Sequence, residues 1–113
     1  MQRPDIWNYR AEITIDPDLV DYDVEAVDGG IGHVDEATNE VDGSYLVVDT
    51  GPWIFGKKVL LPAGLVDRVD HENRRVYVNR TKDEIKNAPE FDEQAYRAEP
   101  YRAQVGGYYG QPR

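Results

Sequence analysis

Turn-forming residues divide residues 24–78 into short apolar segments, and this spacing constrains the fold more than any other feature of the sequence. The turns carry Asp, Asn, Gly or Pro at 28–30, 42–43, 62–64 and 70–73. They recur roughly every eight to twelve residues, which is typical of all-β domains. Because the connections are short, antiparallel neighbours are expected. The pattern predicts six strands, at 24–27, 31–37, 45–48, 59–61, 65–69 and 76–78.

A further strand is predicted near the N-terminus, where residues 7–16 read WNYRAEITID. Polar and apolar residues alternate here, which is the period of a half-buried strand. Pro17 follows and ends it, because proline lacks an amide donor. The apolar side of this predicted strand is made of Trp7, Tyr9, Ala11, Ile13 and Ile15.

One short helix is predicted after the last strand, and a tail after the helix. Thr81 can cap the helix, Glu84 completes a capping box, and Pro89 ends it. Beyond Phe91 the composition shifts to Gly, Gln, Tyr, Pro and Arg, which predicts a flexible tail. The chain therefore divides into an N-terminal strand and connector at 1–18, one domain at 19–92, and a tail at 93–113.

Charge and composition limit the kinds of partner that the chain can bind and indicate where the protein is found. The chain has 13 Lys and Arg against 22 Asp and Glu, a formal net charge of −9, which disfavours direct binding to nucleic acid. It has no cysteine and no apolar stretch long enough to cross a membrane. We expect a soluble cytoplasmic protein without membrane insertion.

The stretch GPWIFGKK at 51–58 misses the phosphate-loop pattern by its last residue alone. A phosphate loop needs a helix after its lysine, but Lys57 is followed by Lys58-Val59-Leu60-Leu61-Pro62, a sequence typical of a strand. Nucleotide binding is therefore not expected. We interpret the stretch instead as a hairpin connection between two strands.

The remaining candidates for chemistry do not form a recognisable site. Ser44, the one serine, lacks the surroundings of a catalytic nucleophile, and His33 and His71 are expected to be solvated. Acidic residues cluster at 35–42, but their spacing does not match a calcium loop. We expect neither enzymatic activity nor a metal or cofactor.

Three large apolar residues, Trp53, Ile54 and Phe55, lie between Gly51 and Gly56. They can fold back over an open end of a barrel, or they can face a protein partner. The sequence leaves both alternatives open. Lys57 and Lys58 follow directly, and half of the four lysines are found here. Trp53, Ile54, Phe55, Lys57 and Lys58 are the candidate partner-binding residues.

The chain resembles the PRC-barrel family, named for the cytoplasmic domain of the photosynthetic reaction centre H subunit. The resemblance spans roughly residues 19–92 and rests on four stretches: LVDYDVEAVDGGIGHVDEA, SYLVVDTG, FGKKVLLPAGLVDRVD and RRVYVNRTKDEIKNAPEFD. It implies a small antiparallel β-barrel of about six strands that serves as an adaptor or assembly module, with no catalytic residues to carry over.

The family also includes a domain of a ribosome-maturation factor, which implies an alternative role as an RNA-processing accessory factor that acts through a ribosomal protein. A domain of residues 19–80 would bury only about 60% of its unfolded surface, so additional coverage is expected. The strand at 7–16 can provide it, either by pairing with its own barrel or by exchange with a second copy, which would form a homodimer.

Overall fold

A computed structural model of the chain describes residues 6–9, 13, 19–38, 43–51, 57–89, 91, 94, 96 and 98–110. Within these residues the chain forms six strands, two helices and one 3-10 turn. The strands are β1 Asp23–Ala26, β2 Gly29–Ala37, β3 Tyr45–Asp49, β4 Lys58–Pro62, β5 Val66–Asp70 and β6 Arg75–Val78. The helices are α1 Lys82–Lys86 and α2 Glu99–Tyr109, and the 3-10 turn is Ala63–Leu65. All six strands predicted from the turn spacing are confirmed.

The six strands form one sheet in the order β4-β3-β2-β1-β6-β5. Four of the neighbouring pairs are antiparallel, as predicted, but β1 and β6 are parallel. Following the strand directions around the sheet, β4 and β5 run in the same sense. The 3-10 turn between them therefore redirects the chain without reversing it, and the expectation of a purely antiparallel sheet is wrong.

The same corner explains why the predicted closed barrel is also wrong. Among the described residues, β4 and β5 are the two edges of the sheet and share no hydrogen-bond ladder. Parallel strands need a crossover of about a dozen residues or more before they can pair. Only three residues, Ala63–Leu65, separate Pro62 from Val66. Within the described part of the chain the sheet is therefore open.

The inner face of the sheet holds the main core. Val24, Val34, Val48 and Val76 are completely buried on four successive strands. Strands β1 and β6 alternate between buried and more exposed positions, as expected when one face packs inward and the other meets water. In β3, by contrast, the first four residues are all buried. A second layer must therefore cover the outer face of β3.

Helix α1 confirms the prediction of a capped short helix. Thr81 Oγ1 accepts a hydrogen bond of 3.2 Å from the Glu84 amide, and Glu84 Oε1 accepts one of 3.1 Å from the Thr81 amide. Asp28 Oδ1 also accepts a bond of 2.8 Å from the Lys82 amide. Three of the amides at the start of the helix are thus satisfied by side chains.

Helix α2 lies in the segment that the sequence predicts to be a flexible tail. Residues 99–109 are helical, and Tyr101, Val105 and Tyr109 are buried, so the prediction of a single helix and a tail is wrong for these residues. The cause is burial: the four-residue spacing places the three side chains on one face, which packs against the core. Neither helix in the described part of the chain has the length and hydropathy needed to span a membrane.

The predicted N-terminal strand is wrong at Trp7 and Asn8, which lie in a turn and a bend. The carbonyls of Ile6 and Trp7 accept hydrogen bonds from the Gly64 and Ser44 amides, at 2.7 and 2.8 Å. These bonds connect the segment to the 3-10 turn and to the start of β3. Tyr9 and Ile13 have no regular structure, although both pack on the core, and the rest of the predicted strand lies outside the described residues.

Candidate partner-binding surface

The β3–β4 hairpin carries the five residues that the sequence proposes for partner binding. Its strands are antiparallel and in register from the Tyr45–Pro62 pair to the Asp49–Lys58 pair. A strand rather than a helix therefore begins directly after Lys57, which confirms that GPWIFGKK is a hairpin connection. Trp53, Ile54 and Phe55 lie within residues 52–56, outside the described residues, so their placement stays a prediction.

The base of the hairpin is closed by hydrogen bonds between its two sides. Thr50 is 1% exposed, and its hydroxyl donates a bond of 2.8 Å to the Lys57 carbonyl. The Thr50 amide donates to the same oxygen at 3.3 Å. On one side Gly51 adopts a φ of +56° and donates its amide to Asp49 Oδ1 at 2.9 Å. The connection therefore starts from an ordered base.

Glycine 32 of the neighbouring strand holds this base against the sheet. Its φ is +145°, and a Cβ atom built on it would lie 2.0 Å from the Asp49 carbonyl oxygen and 2.8 Å from the Thr50 Cα. No side chain fits at that separation, so glycine is required for β2 to approach the hairpin this closely. The position of the base is thereby set by packing as well as by hydrogen bonds.

The two lysines have different surroundings. Lys58 Nζ lies 3.0 Å from Asp35 Oδ2 in an ion pair whose side chains are 35% and 44% exposed. Such exposed pairs contribute about 0–1 kcal/mol to stability, but the nearby carboxylate offsets much of the lysine's positive potential. Lys57 is exposed at the end of the connection.

Acidic and basic residues alternate along the outer face of the sheet beside this hairpin. Residues directly opposite in register point to the same side. One such row crosses all six strands through Lys58, Asp49, His33, Asp23, Arg75 and Asp70. The signs are mixed rather than uniformly positive, whereas a nucleic-acid interface requires a basic stripe.

The residues considered for catalysis have structural roles in the described contacts. Ser44 is 1% exposed, and its backbone bonds to Trp7 and Ala63. His71 Nδ1 lies 2.8 Å from the Tyr22 hydroxyl, with the two rings edge to face. Within the described ranges no group of three or more His, Asp and Glu side chains is arranged to hold a metal.

The acidic cluster also serves packing where it is described. Glu36 accepts hydrogen bonds from the Tyr45 and Tyr96 hydroxyls, at 3.1 and 2.9 Å through different carboxylate oxygens. Tyr45 and Tyr96 meet edge to face with ring centroids 6.0 Å apart. Glu36 therefore attaches the segment before α2 to the sheet. Glu40 and Asp42 of this cluster lie outside the described residues.

The sequence interpretation missed a second surface, formed where α2 packs on the sheet. Arg102 lies over the Trp7 ring at 4.6 Å and near the Tyr45 ring at 5.9 Å. The available signal was the repeat of large side chains at Tyr101, Val105 and Tyr109, which is a helical spacing. The high content of Gly, Gln and Pro in the same segment concealed it.

The chain matches a model of a known protein family. The family model described as PRC-barrel domain matches residues 15–85, more than half of the 113 residues. The matched range contains all six strands and most of α1, and it ends before α2. A search of the curated proteins finds no match to this chain.

Proposed function

The chain belongs to the PRC-barrel family, and from that membership we propose that it is a non-enzymatic binding module that holds a protein partner in an assembly. The observation that carries the proposal is the ordered base of the β3–β4 hairpin. Thr50 closes it, Gly32 fixes it to the sheet, and Trp53, Ile54 and Phe55 follow in sequence. A rigid base reduces the entropy that a binding loop loses when it meets a partner.

In the proposed mechanism the loop aromatics enter the centre of a protein contact. Large aromatic side chains provide much of the binding energy of such contacts when they are desolvated. Lys57 and Lys58 attract an acidic region of the partner from outside this centre, and the Asp35 carboxylate lowers the contribution of Lys58. The net charge of −9 and the mixed outer row favour a protein over a nucleic acid as the partner.

Partner capture with matched variants tests this proposal. Trp53→Ala removes an aromatic residue from the loop, whereas Val27→Ala removes exposed apolar surface from the β1–β2 turn, where Val27 is 68% exposed. We expect the proteins recovered with the wild type to be lost with Trp53→Ala and kept with Val27→Ala. Recovery of the same partners with both variants would contradict the loop assignment. Co-sedimentation of the wild type with ribosomal subunits would favour the ribosome-associated alternative.

A second copy of the chain remains a proposed partner through the N-terminal segment. In such an exchange the carbonyls of Ile6 and Trp7 would accept hydrogen bonds from the Gly64 and Ser44 amides of the other copy, as they do within one chain here. Light scattering of the intact chain, compared with a variant that lacks residues 1–17, measures this directly. Exchange predicts a dimer that dissociates on truncation, whereas equal, stable monomers in both cases would exclude it.

A further inference from the structure

The outer face of the sheet changes character at β3 and β4. Near the hairpin it carries Asp49 and Lys58, but further along the same strands it carries Tyr45, Val47 and Leu60. These three side chains are at most 3% exposed although the strand register places them on the outer face of the sheet. Val47 and Leu60 are directly opposite in register. They form an apolar strip, which we call the outer strip, and it must be covered to be stable in water.

Helix α2 contributes to the cover, together with the N-terminal segment. It packs against β4, and Arg102 extends from it over Trp7 and Tyr45, at the N-terminal segment and at the outer strip. Its C-terminal end is held by Arg80 and by α1. Arg80 donates a bond of 2.9 Å to the Tyr109 carbonyl, and the Tyr108 hydroxyl donates one of 2.6 Å to the Glu84 carbonyl of α1.

The helix itself has few local stabilising features. The N-cap residue, Ala98, makes no side-chain hydrogen bond to the first turn. Gly106 and Gly107 lie in its last two turns, and each glycine costs about 1 kcal/mol relative to alanine. Helices of this length are marginal alone in water. The formation of α2 therefore depends on docking. The free energy that keeps α2 in place comes mainly from its contacts with the rest of the chain.

We propose that the surface beneath α2, which includes the outer strip, is a helix-binding groove, occupied by α2 in the isolated chain, from which a partner's helix displaces α2. Tyr101, Val105 and Tyr109 define what the groove accepts. The partner helix carries an aromatic, an aliphatic and an aromatic residue at four-residue spacing, with an arginine after the first aromatic for the Trp7 and Tyr45 rings. This surface is distinct from the connection at the end of the β3–β4 hairpin, and the family match ends before the helix that occupies it.

Competition between α2 and the partner helix leads to a quantitative expectation. A groove that is open only part of the time binds an external helix with an affinity reduced by the open fraction. Changes that stabilise the tethered α2 therefore weaken external binding, and changes that destabilise α2 strengthen it. Neither effect requires any change in the groove itself.

Fluorescence anisotropy with a labelled helix measures this competition in the intact chain. The probe is an end-capped peptide of residues 96–110 with Ala98→Asp and Gly107→Ala, which make it a better helix than α2. Two chain variants alter only the tethered helix. In Gly107→Ala the added Cβ meets nothing within 4 Å, whereas Arg102→Ala loses the contacts with Trp7 and Tyr45.

We expect Gly107→Ala in the chain to weaken probe binding about fourfold to fivefold, and Arg102→Ala to strengthen it. Equal affinities for wild type and Gly107→Ala, or no binding to wild type and Arg102→Ala, would overturn the proposal. If circular dichroism shows that Arg102→Ala does not fold, the wild type and Gly107→Ala decide the result alone. Trp53→Ala should bind the probe like the wild type, so failure here is independent of the hairpin proposal.

Discussion

Helix α1 has five residues and helix α2 has eleven, yet the shorter helix carries the local helix signals. α1 has a complete capping box, two acidic residues in its first turn and a lysine in its last turn. α2 has a proline in its first turn and two adjacent glycines, and its N-cap side chain makes no hydrogen bond. By local propensity alone, α1 would be the more secure of the two despite its length.

The contrast is resolved by what each helix buries. α1 buries one side chain, Ile85, whereas α2 buries Tyr101, Val105 and Tyr109. Buried aromatic residues each remove about 150–250 Å² from water, which outweighs the cost of two glycines. α1 is thus specified mainly by adjacent residues, and α2 by the surface beneath it. The following predictions test this difference, beginning with the largest effect.

Replacement of Tyr109 by alanine should undock α2 and leave the sheet folded. Loss of a fully buried aromatic side chain costs about 3–5 kcal/mol. A helix without a side-chain cap has no local interaction large enough to offset this loss. Hydrogen exchange should show loss of protection over 101–109 and retained protection in β2 and β3. The matched control is Tyr77→Ala, which removes a partly buried ring from β6. Simultaneous loss of protection in α2 and the sheet would show that the helix is not a separate unit.

High pH should loosen α2 through the same residue. Burial raises the pKa of the Tyr109 hydroxyl well above its usual range. Above pH ~10 an undocked Tyr109 loses its proton while the docked one keeps it, so the docked state is fully favoured below this pH and is destabilised above it, by about 1.4 kcal/mol per pH unit. Circular dichroism from about pH 9 to about pH 11 should show an earlier loss of helix in the wild type than in Tyr109→Phe. Identical pH profiles for the wild type and Tyr109→Phe would show that ionisation of Tyr109 does not cause the loss of helix.

Exchange of capping residues should affect the two helices in opposite directions. Thr81→Ala removes the cap of α1 and should lower the free energy of unfolding by about 1 kcal/mol. Ala98→Asp adds a cap to α2, where the backbone already has the extended conformation that a cap requires, and should stabilise its docking by a similar amount.

Denaturant unfolding measures the first variant and hydrogen exchange of α2 the second. Ala103→Asp, at an exposed position within α2, makes the same charge change without a cap and serves as the control. If Ala103→Asp stabilised α2 as much as Ala98→Asp, charge rather than capping would be responsible.

The smallest effect separates the two adjacent tyrosines. Tyr108→Phe removes the bond to the Glu84 carbonyl and should cost about 1 kcal/mol. The Tyr109 hydroxyl is buried and has no hydrogen-bond partner among the described residues, so Tyr109→Phe should be neutral or stabilising. Thermal unfolding of both variants provides the comparison. A larger loss from Tyr109→Phe than from Tyr108→Phe would indicate that its hydroxyl has a partner.

The sequence predicted those elements whose signals are local. Alternation and turn residues located all six strands, and Thr81 with Glu84 located α1. The β4–β5 corner was not predictable in this way, because only the pairing of β1 with β6 reveals that the chain continues in the same sense through Ala63–Leu65. The turn at Trp7 and Asn8 depends on distant amides, those of Ser44 and Gly64, that no local pattern specifies.

The candidate site follows the same division. The residues after Lys57 were sufficient to identify a strand and hence a hairpin connection. The ion pair between Lys58 and Asp35, which weakens one of the two proposed steering charges, joins residues 23 positions apart and depends on the register of three strands. The outer strip was likewise concealed, since Val47 and Leu60 resemble ordinary core residues until the strand register assigns them to the outer face.

Native-state hydrogen exchange in increasing denaturant tests most directly the claim that docking alone maintains α2. We expect the amides of residues 103–109 to exchange through a local opening of lower free energy than that of β2 and β3, and Gly107→Ala to raise this local free energy by up to about 1 kcal/mol. Exchange of α2 and the sheet only through one common global unfolding, unchanged by Gly107→Ala, would show that α2 is not maintained by docking alone.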